Sequence, residues 1–252
     1  MEPESAATTW SALAEPTGQP TLAFDPTTLA DIPDPAQRLL ARALPAGTPL
    51  TSAATVEMTG EIKLGRWMPF RADQILRASV GFVWWPVVGG RLLRFTGADL
   101  LGPVEARMEF RLQGLVPVAQ ASGPDVARSA AGRLAAETVA WVPQALTPQA
   151  GARWSAVDDE HAVVTLDAAG ETVDVEVAVD PDGRVVSLGL QRWKDSADPP
   201  GFEPFGGRVE DEFVTSEGVH IVGAGAVGWG WATPQWAAGE FFRYRITGAT
   251  FS

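Results

Sequence analysis

Alternation of apolar and polar residues with a period of two constrains the fold of this chain more than any other feature. Residues 56–64 and 104–112 both show it. Successive side chains of a β-strand point to opposite faces, so this alternation is typical of a strand with one buried face. In the second segment the two sets are Val104, Ala106, Met108, Phe110 and Leu112 against Glu105, Arg107, Glu109 and Arg111.

Turn sequences connect further segments of this kind. Residues 167–170 and 180–183 both end in glycine, which favours tight hairpins and predicts a meander through residues 162–193. Additional strands are predicted at residues 79–88, 92–95, 207–214, 219–228 and 240–251. A total of about ten strands favours a curved antiparallel sheet or an incomplete β-barrel.

Residues 79–88 differ from the other predicted strands because they are apolar on both faces. Phe82 and Trp84 point to one side, and Val83 and Trp85 to the other. A strand with two apolar faces has to be covered on both. We therefore expect other elements to pack on both sides of the sheet at this position.

Two segments have features of helices. Residues 34–44 and 124–141 each carry a proline at the first helical position, Pro35 and Pro124, where the missing N–H has no cost. The expected fold class is therefore mainly β (α+β). The longer helix is expected to plug a curved sheet centrally, and the shorter one to be a short N-terminal helix.

The chain of 252 residues has the size of one large β domain, which we expect over residues 31–252. Residues 1–30 contain four prolines among acidic and small residues, a composition that predicts an acidic, proline-rich arm. Trp10, Leu13 and Phe24 are large apolar side chains within it. We expect them to dock on the domain, so that the arm is partly ordered.

The charge balance argues against nucleic acid as a partner. The chain has 31 acidic and 19 basic side chains, giving a formal charge of −12, and no basic cluster interrupts this excess. No apolar run reaches the ~18 residues of a transmembrane helix, and no basic residue precedes Arg38, as a secretory signal would require. We expect a cytoplasmic protein. The sequence does not indicate an oligomeric state.

No cofactor or metal is predicted. Cysteine is absent, and neither His161 nor His220 has the helical spacing of a metal ligand pair. Residues 223–228 (GAGAVG) match the letters of the dinucleotide fingerprint, but Gly230 and Pro234 follow where that motif needs a helix. We interpret this segment as a strand bend. His220 alternates within a strand and is either a structural histidine or a catalytic one.

The segment 124–141 carries a charged pair on its apolar side. One helical stripe contains Val126, Ala130, Arg133, Leu134, Glu137 and Trp141. Arg133 and Glu137 are four residues apart, so they can pair on the helix. Two interpretations stay open. The pair is either a structural ion pair or a polar anchor in an apolar cavity, with Glu137 as a candidate proton acceptor.

Tryptophan is unusually frequent, with ten in the chain. Its large apolar surface and single donor suit either a thick core or the wall of a ligand cavity. The predicted ligand-binding residues are Arg133, Trp141, Trp84, Trp85, Trp229 and Trp231.

The segment from Arg133 to Leu146 resembles a signature of an uncharacterised bacterial family of conserved proteins, R-x3-E-x3-W-x-P, formed here by Arg133, Glu137, Trp141 and Pro143. The resemblance extends over residues 33–252, and no role is established for these positions. The family is similar in architecture to lipoprotein-carrier proteins, whose incomplete β-barrel closes over helices and holds acyl chains. The resemblance thus implies a half-barrel of this kind.

Three hypotheses for the function follow. In the first, the concave face of a half-barrel binds a hydrophobic small molecule or an acyl chain. In the second, the chain is a cofactor-independent enzyme of the cyclase or isomerase type, acting on an apolar natural-product-like substrate, with Glu137 and His220 as catalytic candidates. In the third, the tryptophans fill a solid core. The sequence does not decide whether the protein is an enzyme.

Overall fold

The computed structural model describes residues 5–16 and 22–252. In these residues, thirteen strands form one antiparallel sheet with the order β6-β5-β4-β3-β2-β1-β13-β12-β11-β10-β9-β8-β7. The strands are β1 (Ala53–Leu64), β2 (Arg66–Arg77), β3 (Gly81–Gly89), β4 (Arg94–Leu101), β5 (Ala106–Leu112), β6 (Val116–Ser122), β7 (Arg153–Ala156), β8 (His161–Ala168), β9 (Glu171–Val179), β10 (Val185–Lys194), β11 (Gly201–Val214), β12 (His220–Trp229) and β13 (Glu240–Phe251).

Four α-helices accompany the sheet in the part of the chain that the structure describes. They are α1 (Ala6–Ala14), α2 (Asp34–Ala43), α3 (Pro124–Trp141) and α4 (Trp236–Gly239). The predictions for α2 and α3 are confirmed, and α3 has the predicted bounds. Within the described residues, none of these helices combines the length and the apolar character that crossing a membrane requires.

The chain builds the sheet as two meanders joined by α3. Strands β1 to β6 run outward from the centre to one edge, and α3 then leads to β7 at the other edge. Strands β7 to β13 return to the centre, where β13 pairs with β1 from Ala54↔Phe251 to Ile62↔Phe242. The helix α3 therefore connects the two edges of the sheet.

Contacts of α3 show that the sheet is strongly curved. The helix contacts β4, β5 and β6 near one edge and β8, β9 and β10 near the other, although six strands separate β4 from β10 in the sheet. A single helix reaches both sets only if the sheet bends around it. The predicted curved antiparallel sheet with a central helix is thus confirmed, with α3 on its concave side.

Thirteen strands are present where about ten were expected, and the three additional ones are β2, β6 and β7. Strand β2 contains Pro69, which lacks the N–H that donates a hydrogen bond to a neighbouring strand, and a proline argues against a central strand in the sequence. Pro69 pairs with Glu61 of β1, whereas the pairing of β2 with β3 begins only at Phe70. The proline is tolerated because this end of β2 is paired on one side.

Helix α1 forms within the segment that the sequence predicts to be an arm. Its N-terminus is capped by Ser5, whose Oγ accepts from the N–H of Thr8 at 3.2 Å. Leu13 is buried and packs against Ile75, Val83 and Leu100. Residues 1–4 and 17–21 of the predicted arm lie outside the described residues.

Helix α1 lies on the convex face of the sheet. Its partners Ile75, Val83 and Leu100 alternate along their strands with Leu76, Phe82 and Leu101, which belong to the core around α3. Neighbouring residues of a strand face opposite sides. The expectation that strand 79–88 is covered on both faces is therefore confirmed.

Candidate functional site

A cavity of about 520 Å³ lies between α3 and the concave face of the sheet. This volume is within the range of small-molecule sites, which is roughly 300–1,000 Å³. Its walls are mostly apolar and rich in aromatic rings. Large side chains that line it include Trp84, Phe110, Trp141, Leu190, Phe205 and Phe242.

The rim of the cavity carries exposed apolar side chains. Leu64, at the end of β1, is 49% exposed, and Val118, in the edge strand β6, is 48% exposed. Both also line the cavity. An apolar path therefore runs from the surface into the interior.

Arg133 and Glu137 of α3 face this cavity and are part of a four-residue polar network. The Nε–H of Arg133 donates to Glu137 Oε1 at 2.6 Å, and its Nη1 donates to Asp99 Oδ2 at 2.7 Å. Its Nη2 donates to Gln74 Oε1 at 3.1 Å. Gln74 in turn donates from Nε2 to Glu137 Oε2 at 2.6 Å, which closes the network.

Strand register brings the sheet side of this network together. Gln74 on β2 pairs with Trp84 on β3, and Trp84 pairs with Asp99 on β4, so the three residues form one row across the sheet. Cross-strand partners share a face. The row therefore meets Arg133 and Glu137 where α3 crosses the concave face.

The network keeps the Arg133 guanidinium charged inside the protein. The Arg133 and Glu137 side chains are only 16% and 15% exposed. Burial acts to lower the pKa of Arg133, but the Glu137 and Asp99 carboxylates outweigh it and raise the pKa. The guanidinium also lies over the Phe82 ring, 4.3 Å from its centroid. Both oxygens of Glu137 accept hydrogen bonds, one from Arg133 and one from Gln74.

A second arginine, Arg192 of β10, also lines the cavity. Its Nε–H donates to the carbonyl oxygen of Ser129 at 2.9 Å. Its Cζ lies 4.5 Å from the Phe205 ring centroid and 5.3 Å from that of Trp229. Burial and the positive charge of Arg133 lower the pKa of Arg192 to about 10, so it remains a cation at neutral pH.

Trp141 and Tyr244 form a further part of the wall. Trp141 donates from Nε1 to the carbonyl oxygen of Val222 at 3.2 Å, which fixes the indole. The Tyr244 ring meets it edge-on, with centroids 5.6 Å apart. Burial, followed by the charge of Glu137, raises the pKa of the Tyr244 hydroxyl, so it is a neutral phenol at physiological pH.

Of the predicted site residues, Arg133, Glu137, Trp141 and Trp84 line the cavity. The other tryptophans do not. Trp85 follows Trp84 in β3 and points to the opposite face, where its ring stacks on Trp10 at 5.4 Å.

Trp229 and Trp231 are not among the residues that line the cavity. Trp229 packs edge-on against Phe205, with centroids 5.0 Å apart. Trp231 packs against Trp236, with centroids 4.7 Å apart. Trp229 pairs with Phe205 and shares its concave face, but it lies beyond Phe205 and is not part of the lining, and Trp231 lies on the opposite face against Gly189 and Gly206. The assignment of both as lining residues is therefore corrected.

His220 also lies outside the cavity. It is at the start of β12, with Nδ1 3.8 Å from Glu212 Oε2, in a shallow depression bordered by Arg42 of α2. The structure therefore does not bring His220 together with Glu137. In the described part of the chain, no cluster of three or more His, Cys, Asp or Glu side chains is arranged to hold a metal ion.

Three residues of the site were not predicted from the sequence: Gln74, Asp99 and Arg192. Their strands meet α3 only through the curvature of the sheet, and Gln74 belongs to a strand that was not predicted. One signal was available for Arg192, because it continues the apolar face of β10 after Leu188 and Leu190, and all three line the cavity. An arginine on an apolar strand face indicates a polar group in an apolar interior, as Arg133 does on the apolar face of its helix.

The sequence matches the model of one protein family over most of its length. Residues 23–241 match the model of DUF6544, described as a family of unknown function. This match spans most of the sequence, so the chain belongs to this family. No curated protein matches the sequence.

Solved structures with a similar course of the chain were also found. A domain from Vibrio parahaemolyticus, named for outer membrane lipoprotein sorting, has 10% identity and a TM-score of 0.43, covering 86% of this chain and 91% of that one. A LolA superfamily protein from Nitrosomonas europaea has 10% identity and a TM-score of 0.42, with 86% and 92% covered. A DUF1329 family protein from Desulfovibrio piger has 9% identity and a TM-score of 0.41, with 87% and 91% covered.

Proposed function

We propose that this member of the DUF6544 family binds a hydrophobic small molecule or an acyl chain in the cavity between α3 and the sheet. The observation that carries the proposal is the apolar cavity of about 520 Å³. Protein interiors are packed as densely as organic crystals and contain few voids larger than a water molecule. A void of this size, lined by aromatic rings, is suited to a guest.

The rim supports the proposal independently of the volume. Leu64 and Val118 are apolar and about half exposed, and both continue into the lining. Exposed apolar surface that is continuous with an interior cavity marks an entry route for an apolar ligand. We propose that the guest enters between β1 and the edge strand β6.

Binding is favoured over catalysis by the positions of the two candidate catalytic residues. His220 is outside the cavity, and both Glu137 oxygens accept hydrogen bonds from Arg133 and Gln74. The substitutions Glu137→Gln and His220→Ala test this choice. A binding protein retains its affinity for the guest when His220 is replaced. A location in the cytoplasm remains a prediction from the sequence.

A cavity-filling variant tests the proposed function. Ala136 of α3 lines the cavity, so Ala136→Phe places a ring inside it. The matched control is Ala41→Phe, which adds the same ring to the exposed face of α2. Binding of decanoate and decanol is measured by native mass spectrometry and by quenching of tryptophan fluorescence, since Trp84 and Trp141 line the cavity.

The expected result is binding by the wild-type protein and by Ala41→Phe, with a loss of at least ~10-fold in affinity for Ala136→Phe, because the ring occupies the volume of the guest. Equal affinity of all three proteins would contradict the proposal. So would the absence of binding of either ligand to the wild-type protein.

A further inference from the structure

The arginines of the cavity differ in how their charge is neutralised. Arg133 contacts two carboxylates, those of Glu137 and Asp99. Arg208, which also lines the cavity, contacts Glu240 at 2.8 Å and Glu210 at 3.0 Å. No carboxylate in the described part of the chain lies within 4.0 Å of the Arg192 guanidinium.

Arg192 is nevertheless held in a defined position. Its Nε–H is bonded to Ser129 of α3, and its plane rests near the rings of Phe205 and Trp229. These contacts engage one donor nitrogen and the face of the guanidinium. They leave both Nη groups without a hydrogen-bond acceptor from the residues described. Such groups in an apolar environment favour an acceptor from outside the chain.

The charges around Arg192 favour an anion as that acceptor. Asp99 and Glu137 are close enough to act on Arg192, but both are committed to Arg133. Burial and the charge of Arg133 exceed their effect and lower the pKa of Arg192 to about 10. The negative charge that the protein places around Arg192 therefore does not fully offset the effects of burial and of Arg133 on this cation. An anion in contact with Arg192 would restore the balance.

Gly132 makes room for this arrangement. A Cβ atom at position 132 would lie 2.9 Å from Arg192 Cγ, which is closer than such contacts occur. Glycine inside a helix lowers its stability by roughly 1 kcal/mol relative to alanine. Its presence in the middle of α3 is explained by the passage of the Arg192 side chain against the helix.

From these contacts we infer that the guest is an amphiphile with a carboxylate head group, which the two Nη groups of Arg192 bind, while its alkyl part lies along the aromatic wall toward Leu64 and Val118. Guanidinium and carboxylate match in geometry and form paired, charge-assisted hydrogen bonds. The inference rests on the proposed function, because it specifies the head group of the same guest.

The test compares two ligands of equal chain length, decanoate and decanol, by isothermal titration calorimetry at neutral pH. We expect the wild-type protein to bind decanoate at least ~10-fold more tightly than decanol, since a hydrogen bond to a charged group contributes this much or more. In Arg192→Gln, decanoate affinity falls by ~10- to 100-fold. Decanol affinity changes far less, so the preference disappears.

The matched control is Arg128→Gln. Arg128 is another arginine that lies over an indole ring, with Cζ 4.9 Å from the Trp193 centroid, but it does not line the cavity. This variant is expected to keep the preference for decanoate. Equal affinity of the wild-type protein for the two ligands overturns the inference, and so does a preference that survives in Arg192→Gln. Decanol binding in those cases leaves the proposed function intact, whereas no binding of either ligand contradicts both.

A second measurement on the wild-type protein does not depend on the folding of a variant. Decanoate with an isotope-labelled carboxyl group is titrated with acid in the bound state and followed by NMR. Contact with Arg192 stabilises the carboxylate, so the pKa of the bound carboxyl group is expected to be lower than that of free decanoate. A raised pKa would show burial without a cation and would overturn the inference.

Discussion

Helices α1 and α3 pack on opposite faces of the same sheet and form different kinds of contact. On the convex face, Leu13 of α1 fills a cluster with Ile75, Val83 and Leu100. On the concave face, α3 contacts strands near both edges of the sheet, and a cavity of about 520 Å³ remains between helix and sheet. Packing of a helix on a sheet is thus not sufficient to leave a cavity, since α1 leaves none in the described part of the chain. The cavity lies where the sheet bends around α3.

The two contacts also use arginine differently. Arg77 donates to the carbonyl oxygens of Leu13 at 2.8 Å and Glu15 at 2.6 Å, and to Ser52 Oγ at 2.9 Å. A cation at the C-terminal end of α1 is favoured by the helix dipole. All three guanidinium nitrogens of Arg77 are used, whereas Arg192 uses one. The difference separates an arginine that fixes a helix from one that is available to a ligand.

The largest expected effect comes from breaking the concave contact at Arg133. Arg133→Met leaves the largely buried Glu137 and Asp99 carboxylates without their cation, and we expect the free energy of unfolding to fall by about 3–5 kcal/mol. Urea denaturation measures it. Combining Arg133→Met with Glu137→Gln and Asp99→Asn removes the uncompensated charges and should recover a large part of the loss. A loss below about 1 kcal/mol for the single variant would show that the network is not a stabilising unit.

The convex contact is tested by Leu13→Ala. Leu13 is 1% exposed, so its truncation should lower the free energy of unfolding by about 2–4 kcal/mol. Leu115→Ala, at a residue that is 77% exposed, serves as the control and should have little effect. Ligand affinity is expected to stay unchanged in Leu13→Ala, since α1 lies on the other face. A parallel loss of affinity would contradict the separation of the two faces.

Features that depend on one helix or one strand could be predicted from the sequence, whereas features that need several strands could not. Periodicity gave the bounds of α3 and most strands, because it depends on single elements. It also gave Arg133 and Glu137, whose spacing on one helix is a local property. Helix α1 was missed, because the prolines and acidic residues around it are typical of an arm, while its one buried leucine requires partners from three strands.

Residues that converge through sheet curvature could not be predicted in this way. Gln74 and Asp99 reach Arg133 only because β2, β3 and β4 place them in one row under α3. Trp85 was assigned to the cavity from residue type, and its strand face decides against it. Residue type identifies the chemistry of a site, whereas register and curvature decide which residues take part.

A smaller effect is expected at Gly132, where the Arg192 side chain of β10 passes against α3. Gly132→Ala gains helix propensity but crowds Arg192 Cγ, at 2.9 Å. In an Arg192→Ala background the crowding is gone, because the alanine Cβ is 3.5 Å away, and the same substitution should stabilise the protein by roughly 0.5–1 kcal/mol. In the presence of Arg192 it should be neutral or destabilising. Equal effects in the two backgrounds, measured by thermal unfolding, would contradict the explanation of this glycine.

The smallest predicted effect concerns α2, which packs into the same core as α3 and is linked to the sheet by Arg42 and Glu212. Arg42 donates from Nε to Glu212 Oε1 at 2.9 Å and from Nη2 to Oε2 at 2.6 Å. Burial acts to raise the pKa of Glu212, but Arg42, His220 and Arg184 outweigh it and lower the pKa from its usual range.

A lowered pKa in the folded state means that Glu212 contributes stability above its unfolded pKa, and that this contribution is lost as the pH falls through the folded pKa. Glu212→Gln removes it, so the difference in free energy of unfolding between wild type and variant should be below about 1 kcal/mol at neutral pH and should shrink on acidification. Asp211→Asn, in the exposed pair with Arg245, is the matched control and should change stability less, because solvent screens that pair. A difference that grows on acidification would contradict the assignment. A constant difference would show that the ionisation of Glu212 does not contribute to holding α2 on the sheet.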